Sequence, residues 1–286
     1  MASTLSLFSG LSGVPGISKL VSEAKTWKPT KIMPVMFLGH GSPMNAIQEN
    51  EFTRGWRSMG NTVEKPNAVL CISAHWETKG TYVTAMQKPK TIHDFGGFPP
   101  ELFAQQYPAP GDPALATDLS ETITKTKVLL DNSWGFDHGC WSVLKHLYPN
   151  ADVPVLQLSL DYSQAPQYHY DLAKELQFLR TRGVLIVGSG NIVHNLGMLN
   201  WESPNTPFDW AIEANDKIKT LINDDRHIDL INYKNLGKSV ALAVPTPEHF
   251  LPLLYILALK GKNEQVHYYN DKPVMGSITM TSISIA

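Results

Sequence analysis

The sequence predicts an α/β fold, in which a single domain has a central, mostly parallel or mixed β-sheet flanked by helices. Short apolar segments that end in Gly, Ser or Ala, typical of buried strands, alternate along the chain with longer segments of helical periodicity. The 286 residues suit one large domain, and no segment rich in Pro, Gly or Ser divides them. We therefore expect one domain over residues 33–286, preceded by an N-terminal extension over residues 1–32 that is frayed or forms a short helix.

Six segments are predicted to be strands. They cover residues 32–39, 68–74, 81–86, 153–160, 183–190 and 276–286. Four of them are short apolar runs, as in strands that are buried on both faces of a parallel sheet. The segment 81–86 is more polar, which is typical of a strand at an edge, and the segment 276–286 alternates in the pattern of a half-buried strand.

Four segments have the periodicity of helices. They cover residues 113–126, 165–183, 207–224 and 247–261. In the second of them, leucines recur near helical spacing and Gly183 is a typical C-terminal residue. The last segment is largely apolar, so we expect a buried helix.

The composition excludes several classes of partner. With 43% hydrophobic and 17% charged residues, a formal net charge of −2 and no basic block, the chain lacks the features of proteins that bind nucleic acid or anionic membranes. No apolar run reaches the roughly 18 residues of a membrane span, and the start lacks the features of a secretory signal. Cys71 and Cys140 have no CxxC spacing, so we interpret them as buried free thiols of a cytoplasmic protein.

Histidines recur near the ends of the predicted strands. His40 and His75 follow two of them directly, His194 comes shortly after a third, and His249 lies between a predicted strand and the last helix. A hydrogen-bonded structural histidine would explain any one of these positions. Ligands of α/β folds bind at the carboxyl ends of strands, and imidazole is a common ligand of zinc and iron. Four histidines in similar places therefore favour a metal site.

Glycines and further histidines surround this pattern. Gly39 and Gly41 flank His40, and we expect them to let the backbone approach the ion and its substrate closely, because they lack Cβ. His93 and His138 stand in glycine-rich loops, and His138 is either a satisfied loop histidine or part of the site. The chain has no HExxH, no GxSxG and no Walker A motif, which disfavours a zincin protease, a serine hydrolase and a P-loop enzyme.

Longer sequence motifs are more specific than the spacing of the histidines alone. Between residues 33 and 286 they occur in the order FLGHGSPMNA, SAHWET, TIHDFGGFPPELF, YPAPGDPALA, WGFDHGCWSVL, SGNIVHNL and PTPEHFLPLLYILA. Together they resemble the 4,5-DOPA extradiol dioxygenase family, which belongs to the class III extradiol ring-cleavage superfamily, and its bacterial members above all. The resemblance implies a mononuclear metal centre in the cleft of a single α/β domain.

The resemblance also implies roles for individual residues. The family's metal ligands fall on His40, His75, His194 and His249. In the wider superfamily the ligands are two histidines and a carboxylate, which leaves two alternatives open. Glu248 takes the place of His249 as a ligand, or His194 is the acid/base group and not a ligand. His138 is a further candidate catalytic group.

The reaction implied by the resemblance is the insertion of O₂ into the ring of a catechol such as DOPA. Cleavage at the 4,5 position gives a muconic semialdehyde-type product, and we expect the FGGFPP loop and Trp76 to hold the ring. One ion per chain is expected: Fe²⁺ for ring cleavage, and Zn²⁺ in the protein as purified. Catechol and O₂ are the expected partners, and the chain is expected to be a monomer or a small homo-oligomer. A zinc-dependent hydrolase and a non-catalytic metal-bound small-molecule binder are the alternatives on the same scaffold.

Overall fold

An eight-stranded mixed sheet forms the centre of the protein. It is seen in a computed structural model, which describes residues 30–286. The strands of the sheet are β1 Val35–Gly39, β2 Ala68–Thr78, β3 Thr81–Thr84, β4 Val128–Asp131, β5 Val155–Asp161, β6 Val184–Gly190, β7 Val266–Tyr269 and β10 Ser282–Ile285. A separate pair is formed by β8 Pro273–Val274 and β9 Ile278–Thr279. The predicted α/β fold with a mixed sheet is confirmed, and the predicted extension lies, up to residue 29, outside the described residues.

The order of the strands is β4-β3-β5-β2-β6-β1-β10-β7. The four central strands, β5, β2, β6 and β1, are parallel to one another. Towards one edge β10 and β7 are antiparallel, and towards the other β3 is antiparallel to β5. Because the central strands are parallel, their carboxyl ends all lie at the same end of the sheet, and a ligand site is expected there.

Three details of the strands differ from the predictions. The strand 81–86 is not at an edge, since β3 lies between β5 and the unpredicted strand β4. The segment 276–286 is divided into β9 and β10, which belong to different sheets. Strand β2 continues to Thr78, four residues beyond its predicted end.

Ten helices cover the sheet in the described part of the chain. They are α1 Glu51–Asn61, α2 Pro100–Phe103, α3 Pro113–Thr122, α4 His138–Leu147, α5 Pro166–Lys174, α6 Gln177–Arg180, α7 Asp209–Asn223, α8 His227–Ile231, α9 Lys238–Ala243 and α10 Leu251–Ala258. All four predicted helices are present, and the second is divided into α5 and α6. None of the helices in residues 30–286 has the length and apolar character to cross a membrane. The strand predicted before His249 is wrong, because that apolar segment forms α9; a short apolar run fits a buried helix as well as a strand.

Two apolar clusters pack on opposite faces of the sheet. Along β1, Val35 and Phe37 belong to one cluster, whereas Met36 and Leu38 belong to the other, as the period of two residues in a strand requires. The first cluster includes residues of α5, α7 and α10, and the second includes residues of α1 and α4. Both faces of the central strands are therefore buried, which explains their continuous apolar sequences.

A fully buried arginine joins three separate segments. The Arg180 guanidinium donates to the carbonyls of Met33 (2.7 Å) and Leu259 (2.6 Å) and forms a bidentate ion pair with Glu264. It therefore ties the chain before β1 to the end of α10 and to the loop before β7. Bidentate charge-assisted hydrogen bonds of this kind are strong, and a partner left alone is costly.

We expect Arg180→Met to lower the free energy of unfolding by about 3–5 kcal/mol, because two carbonyls and a carboxylate lose their donor. Urea unfolding followed by circular dichroism measures the change. Arg182→Met is the matched control: Arg182 is partly exposed and pairs with Asp118, so its replacement should cost about 1 kcal/mol or less. A loss for Arg180→Met no larger than that of the control would contradict the role of this cluster.

Candidate metal centre

Five histidines come together at the carboxyl ends of the central strands. They are His40, His75, His138, His194 and His249. The ring centres of His40, His75 and His249 form a nearly equilateral triangle with sides of 4.9, 5.0 and 5.2 Å. The ring of His138 lies 3.9 Å from that of His75, and the ring of His194 lies 3.5 Å from that of His249. The structure therefore brings together all five histidines that the sequence analysis singled out for the site.

His40 follows β1 directly and is buried. The Ser189 hydroxyl donates to the Gly139 carbonyl at 2.5 Å, so its oxygen is left to accept the Nδ1–H of His40 at 3.0 Å. This bond leaves a lone pair on Nε2, which lies 3.2 Å from Nε2 of His75. The ring of His40 is thus oriented by a residue of β6, the strand next to β1.

The glycines on either side of His40 are required by the packing and the backbone conformation of the turn. A Cβ on Gly39 would lie 2.6 Å from the backbone of Met280, so Gly39 lets the segment before β10 cross closely. Gly41 has a φ of +58°, a backbone conformation that residues other than glycine seldom adopt. These two glycines therefore shape the turn and its packing, and their expected role in the approach to the ion stays a prediction.

His75 does not follow a strand but lies inside β2. The pairing of β2 with β5 shifts register between Ile72 and Glu77, so His75 occupies an irregular part of the strand. Such an irregularity changes the direction of a side chain, and the ring of His75 lies against those of His40 and His138. The predicted position at the end of a strand is wrong, although the side chain reaches the cluster.

His249 lies in the loop between α9 and α10, and Glu248 orients its ring. Nδ1–H donates to Glu248 Oε1 at 3.0 Å, which leaves the lone pair on Nε2. The same oxygen accepts from Thr246 at 2.9 Å. Although burial raises the pKa of Glu248, hydrogen bonds from His249 and Thr246 hold it at about 2. Gly190, at the end of β6, makes room for this loop, because a Cβ there would lie 2.2 Å from the His249 carbonyl.

Burial keeps these imidazoles neutral. It lowers the pKa of His40 and His75 well below the ordinary value, and the neighbouring histidines lower it further. Burial also lowers the pKa of His249, and it lowers that of His194 to about 3. A neutral imidazole has a free lone pair and is the form that binds a metal.

The triangle of His40, His75 and His249 fits one metal ion. An ion about 2.1 Å from each nitrogen, with about 100° between the bonds, sets the nitrogens about 3.2 Å and the ring centres about 5 Å apart. The distance between the two Nε2 atoms, 3.2 Å, and the sides of the triangle agree with these values. Two nitrogen lone pairs at this distance repel each other, and a cation between them removes the repulsion.

His194 fits the same ion less well. Its ring stacks on that of His249, with an angle of 11° between the planes. The lone pairs of two stacked rings lie in parallel planes, so they do not converge on one ion. Among the described residues the donor atoms form two groups, His40 with His75 and His138, and His194 with Glu248 and His249. By this grouping His249, like His194, is separate from His40 and His75, so the spacing of the ring centres is what places His249 in the triangle.

The predicted loop position of His138 is corrected, because His138 is the first residue of α4. Asp137 is its N-cap and accepts from the Cys140 N–H. Asp94 holds His138 twice, since one carboxylate oxygen accepts from the backbone N–H and the other from Nδ1–H, both at 2.8 Å. His93, by contrast, lies outside the cluster and donates from Nε2 to the Gln105 carbonyl at 2.9 Å.

Asp94 is the functional candidate that the sequence analysis missed. Its carboxylate also lies 3.7 Å from Nδ1 of His75, so it faces two histidines of the cluster. Although burial raises the pKa of Asp94, the hydrogen bonds from His138 lower it below the ordinary value, which keeps the carboxylate charged. The only signal in the sequence is its place between His93 and the FGG turn.

Comparison with known proteins identifies the family. The model of a family described as the catalytic LigB subunit of aromatic ring-opening dioxygenase matches residues 33–281. The chain belongs to this family. It is 45% identical over 257 residues to the 4,5-DOPA dioxygenase extradiol of Escherichia coli (strain K12), a match that covers 88% of the chain and 94% of the relative.

A second relative and a solved structure support the same family. The chain is 35% identical over 269 residues to the 4,5-DOPA dioxygenase extradiol of Beta vulgaris, which covers 88% of the chain and 97% of the relative. It is also similar to the crystal structure of an uncharacterized protein from Escherichia coli K12. This match has a TM-score of 0.78 and 41% identity, and it covers 89% of the chain and all of the other structure. The protein is therefore an extradiol ring-opening dioxygenase, as the resemblance implied. Membership in this family favours the dioxygenase over the hydrolase and the binder.

Aromatic side chains of this dioxygenase line one side of the histidine cluster. Phe95 packs edge-on against His138 at 5.7 Å and against Phe98 at 5.4 Å, and it also contacts Trp141. The FGGFPP loop therefore lies beside the site, as predicted. The ring of Trp76 stacks on that of Trp134, and its expected contact with the catechol remains a prediction.

Proposed function

We propose that the protein cleaves the ring of a catechol beside its hydroxyl groups, at one ion held by His40, His75 and His249. The triangle of ring centres at 4.9–5.2 Å is the observation that carries this proposal. Family membership supports the reaction class. DOPA is the proposed substrate, because two of the relatives described above carry the name 4,5-DOPA dioxygenase extradiol.

Fe²⁺ is the proposed working ion, because when bound it supplies the redox chemistry that brings the catechol and O₂ to reaction, whereas zinc has no accessible redox step. Zn²⁺ is proposed for the purified protein, since imidazole sites bind zinc more tightly than iron. One ion per chain, a cytoplasmic location and a monomeric or small homo-oligomeric state remain predictions of the sequence.

His194 is proposed as the base that takes a proton from a catechol hydroxyl. Its ring nitrogens have no hydrogen-bond partner among residues 30–286, and its ring lies directly beside that of His249. A neutral imidazole with a free lone pair can accept a proton from a substrate within hydrogen-bond reach. Because the ring of His194 stacks on that of His249, His194 would take up this proton beside the ion without being one of its ligands.

His138 is proposed as the second proton-transfer group. Nδ1–H is fixed on Asp94, so Nε2 is the atom that accepts a proton from the substrate or returns one to the product. The Asp94 carboxylate stabilises the imidazolium that forms, as a carboxylate does for a catalytic histidine in a triad. Phe95 and Phe98, which are half-buried beside His138, offer apolar faces on which the aromatic ring of the substrate would pack.

Oxygen uptake tests the proposal. Protein stripped of metal under anaerobic conditions and reloaded with Fe²⁺ should consume O₂ with DOPA and form a yellow semialdehyde chromophore, while the Zn²⁺-loaded protein should not. Protocatechuate and unsubstituted catechol complete the panel. If the Fe²⁺-loaded protein consumed no O₂ with any of the three, the proposed function would be wrong.

A further inference from the structure

A second cavity, of about 430 Å³, lies at the far end of α4 from the histidine cluster. Its walls come from α1, from the C-terminal end of α4 and from the turn after Ala46. His138 begins α4, and Lys145, which lines the cavity, lies seven residues further, about 10 Å along the helix axis. The cavity is therefore separate from the metal centre.

The side chains of the cavity carry one net positive charge. Arg57 and Lys145 are its cations, and Glu49 is its one carboxylate among the described residues. Glu49 pairs with Nη1 of Arg57 at 2.6 Å, so these two charges offset each other. The charge of Lys145 remains.

His146 is buried in the wall and neutral. Its Nε2–H donates to the Asn45 carbonyl at 2.8 Å, and its Nδ1 accepts from Nη2 of Arg57 at 3.3 Å. Burial also lowers the pKa of His146. The imidazole therefore orients the guanidinium of Arg57 and adds no charge of its own.

Lys145 lacks a counter-ion in the part of the chain that the structure describes. Its ammonium donates to the side-chain amide oxygen of Gln105, and among residues 30–286 no carboxylate lies within 4.0 Å of it. A partly buried charge whose partner is only a neutral amide is unfavourable, and burial lowers the pKa of this amine. A lysine in the last turn also stabilises a helix through its dipole, which explains why a cation stands here but not why it points into a cavity.

We propose that this cavity binds a small monocarboxylate of single-ring size. Its carboxylate would lie between Lys145 and Arg57, where it balances the remaining charge and accepts charge-assisted hydrogen bonds. Its apolar part would pack on Ile47 and Pro149, which line the same cavity. A volume of 430 Å³ stands at the lower end of the range of ligand sites, which suits one aromatic ring.

Titration of the full-length protein, as purified, with benzoate tests this inference by calorimetry. We expect one benzoate per chain with a Kd of about 1 mM or lower. Lys145→Gln should raise the Kd at least about tenfold, because a charge-assisted bond is lost, and Arg57→Gln should act in the same direction. Lys145→Arg, which keeps the charge, should retain binding, and Lys174→Gln on the exposed side of α5 should leave the Kd unchanged.

Two results would overturn the assignment of a carboxylate site to this cavity. One is the absence of binding to the unmodified protein. The other is binding that survives in Lys145→Gln but is lost in His40→Ala, which would place benzoate on the metal centre. Titration with inorganic phosphate is a third test. If phosphate bound through Lys145 as tightly as benzoate does, the cavity would be a general anion site, and its assignment to carboxylates would be contradicted. None of these results depends on the proposed ring cleavage, because binding and not turnover is measured.

Discussion

Replacing His75 by Ala is expected to remove the bound metal and ring cleavage together. Nε2 of His75 lies 3.2 Å from Nε2 of His40, the separation of two ligands on one ion, so the variant loses one of the three proposed ligands. The remaining two imidazoles hold a divalent ion weakly, and we expect turnover to fall by about a thousandfold or more. Metal content of the dialysed protein and O₂ uptake with DOPA measure the two losses.

His267→Ala is the matched control for this prediction. His267 lies in the edge strand β7 and is exposed, so its removal should change neither metal content nor turnover. A His75→Ala protein that still retained one ion per chain would contradict the proposed ligand set.

A pair of further variants separates two possible ligand sets. By the distances between donor atoms, His138 belongs with His40 and His75. By the distances between ring centres, His249 and not His138 forms the triangle with these two residues. The rings of His75 and His138 are only 3.9 Å apart, closer than the roughly 5 Å expected for two ligands of one ion. We therefore expect His249→Ala to lose the metal and His138→Ala to retain it, and the reverse result would assign His138 as the ligand.

Most of the sheet could be predicted from the sequence because its strands are buried on both faces. β1, β2, β5 and β6 contain apolar runs that alternate along the chain with helical segments, and this alternation, more than the runs themselves, favours strands over buried helices. The edge strand β4 is half-exposed and was missed. The segment that became α9 was misassigned, because a short apolar run before a loop does not distinguish a buried helix from a strand.

The members of the histidine cluster could be named from sequence, but their arrangement could not. His40 was found because a strand leads directly into it. His75 was found for the wrong reason: the shift in the pairing of β2 and β5, which no local pattern encodes, turns its side chain. The stacking of His194 on His249 depends on two loops that are distant in sequence, so the proposal that His194 is a base and not a ligand rests on geometry that no local pattern encodes.

Asp94 could not be recognised from sequence, because its role depends on a partner 44 residues away. The N-terminus of α4 presents the His138 N–H and Nδ1–H in the same direction, and only the folded loop 91–99 brings a carboxylate to both. An acidic residue in a glycine-rich turn is ordinarily a turn residue. The double contact distinguishes Asp94 from that ordinary case.

The Asp94→Asn variant is expected to keep its metal and to lose about a hundredfold in kcat. The amide preserves the size of the side chain and one acceptor oxygen, so the backbone N–H of His138 can keep its bond. The negative charge is lost, however, and with it the stabilisation of the imidazolium that the proposed mechanism forms on His138. Among the described residues the proposed ligands His40 and His249 make no hydrogen bond with Asp94, and Nδ1 of His75 lies 3.7 Å from it, beyond hydrogen-bond distance, so metal content should not change.

Asp94→Glu should recover part of the lost turnover, because it restores the charge at a slightly different distance. Asp152→Asn, at an exposed carboxylate that pairs with Lys65, is the control and should leave kcat and KM unchanged. Since Asp94 acts through His138 and not on the substrate, the loss should be in kcat with KM nearly unaltered. Turnover within about threefold of the unmodified enzyme would show that His138 does not depend on the carboxylate. Loss of the metal would instead assign Asp94 to the support of His75, whose Nδ1 lies 3.7 Å from the same oxygen.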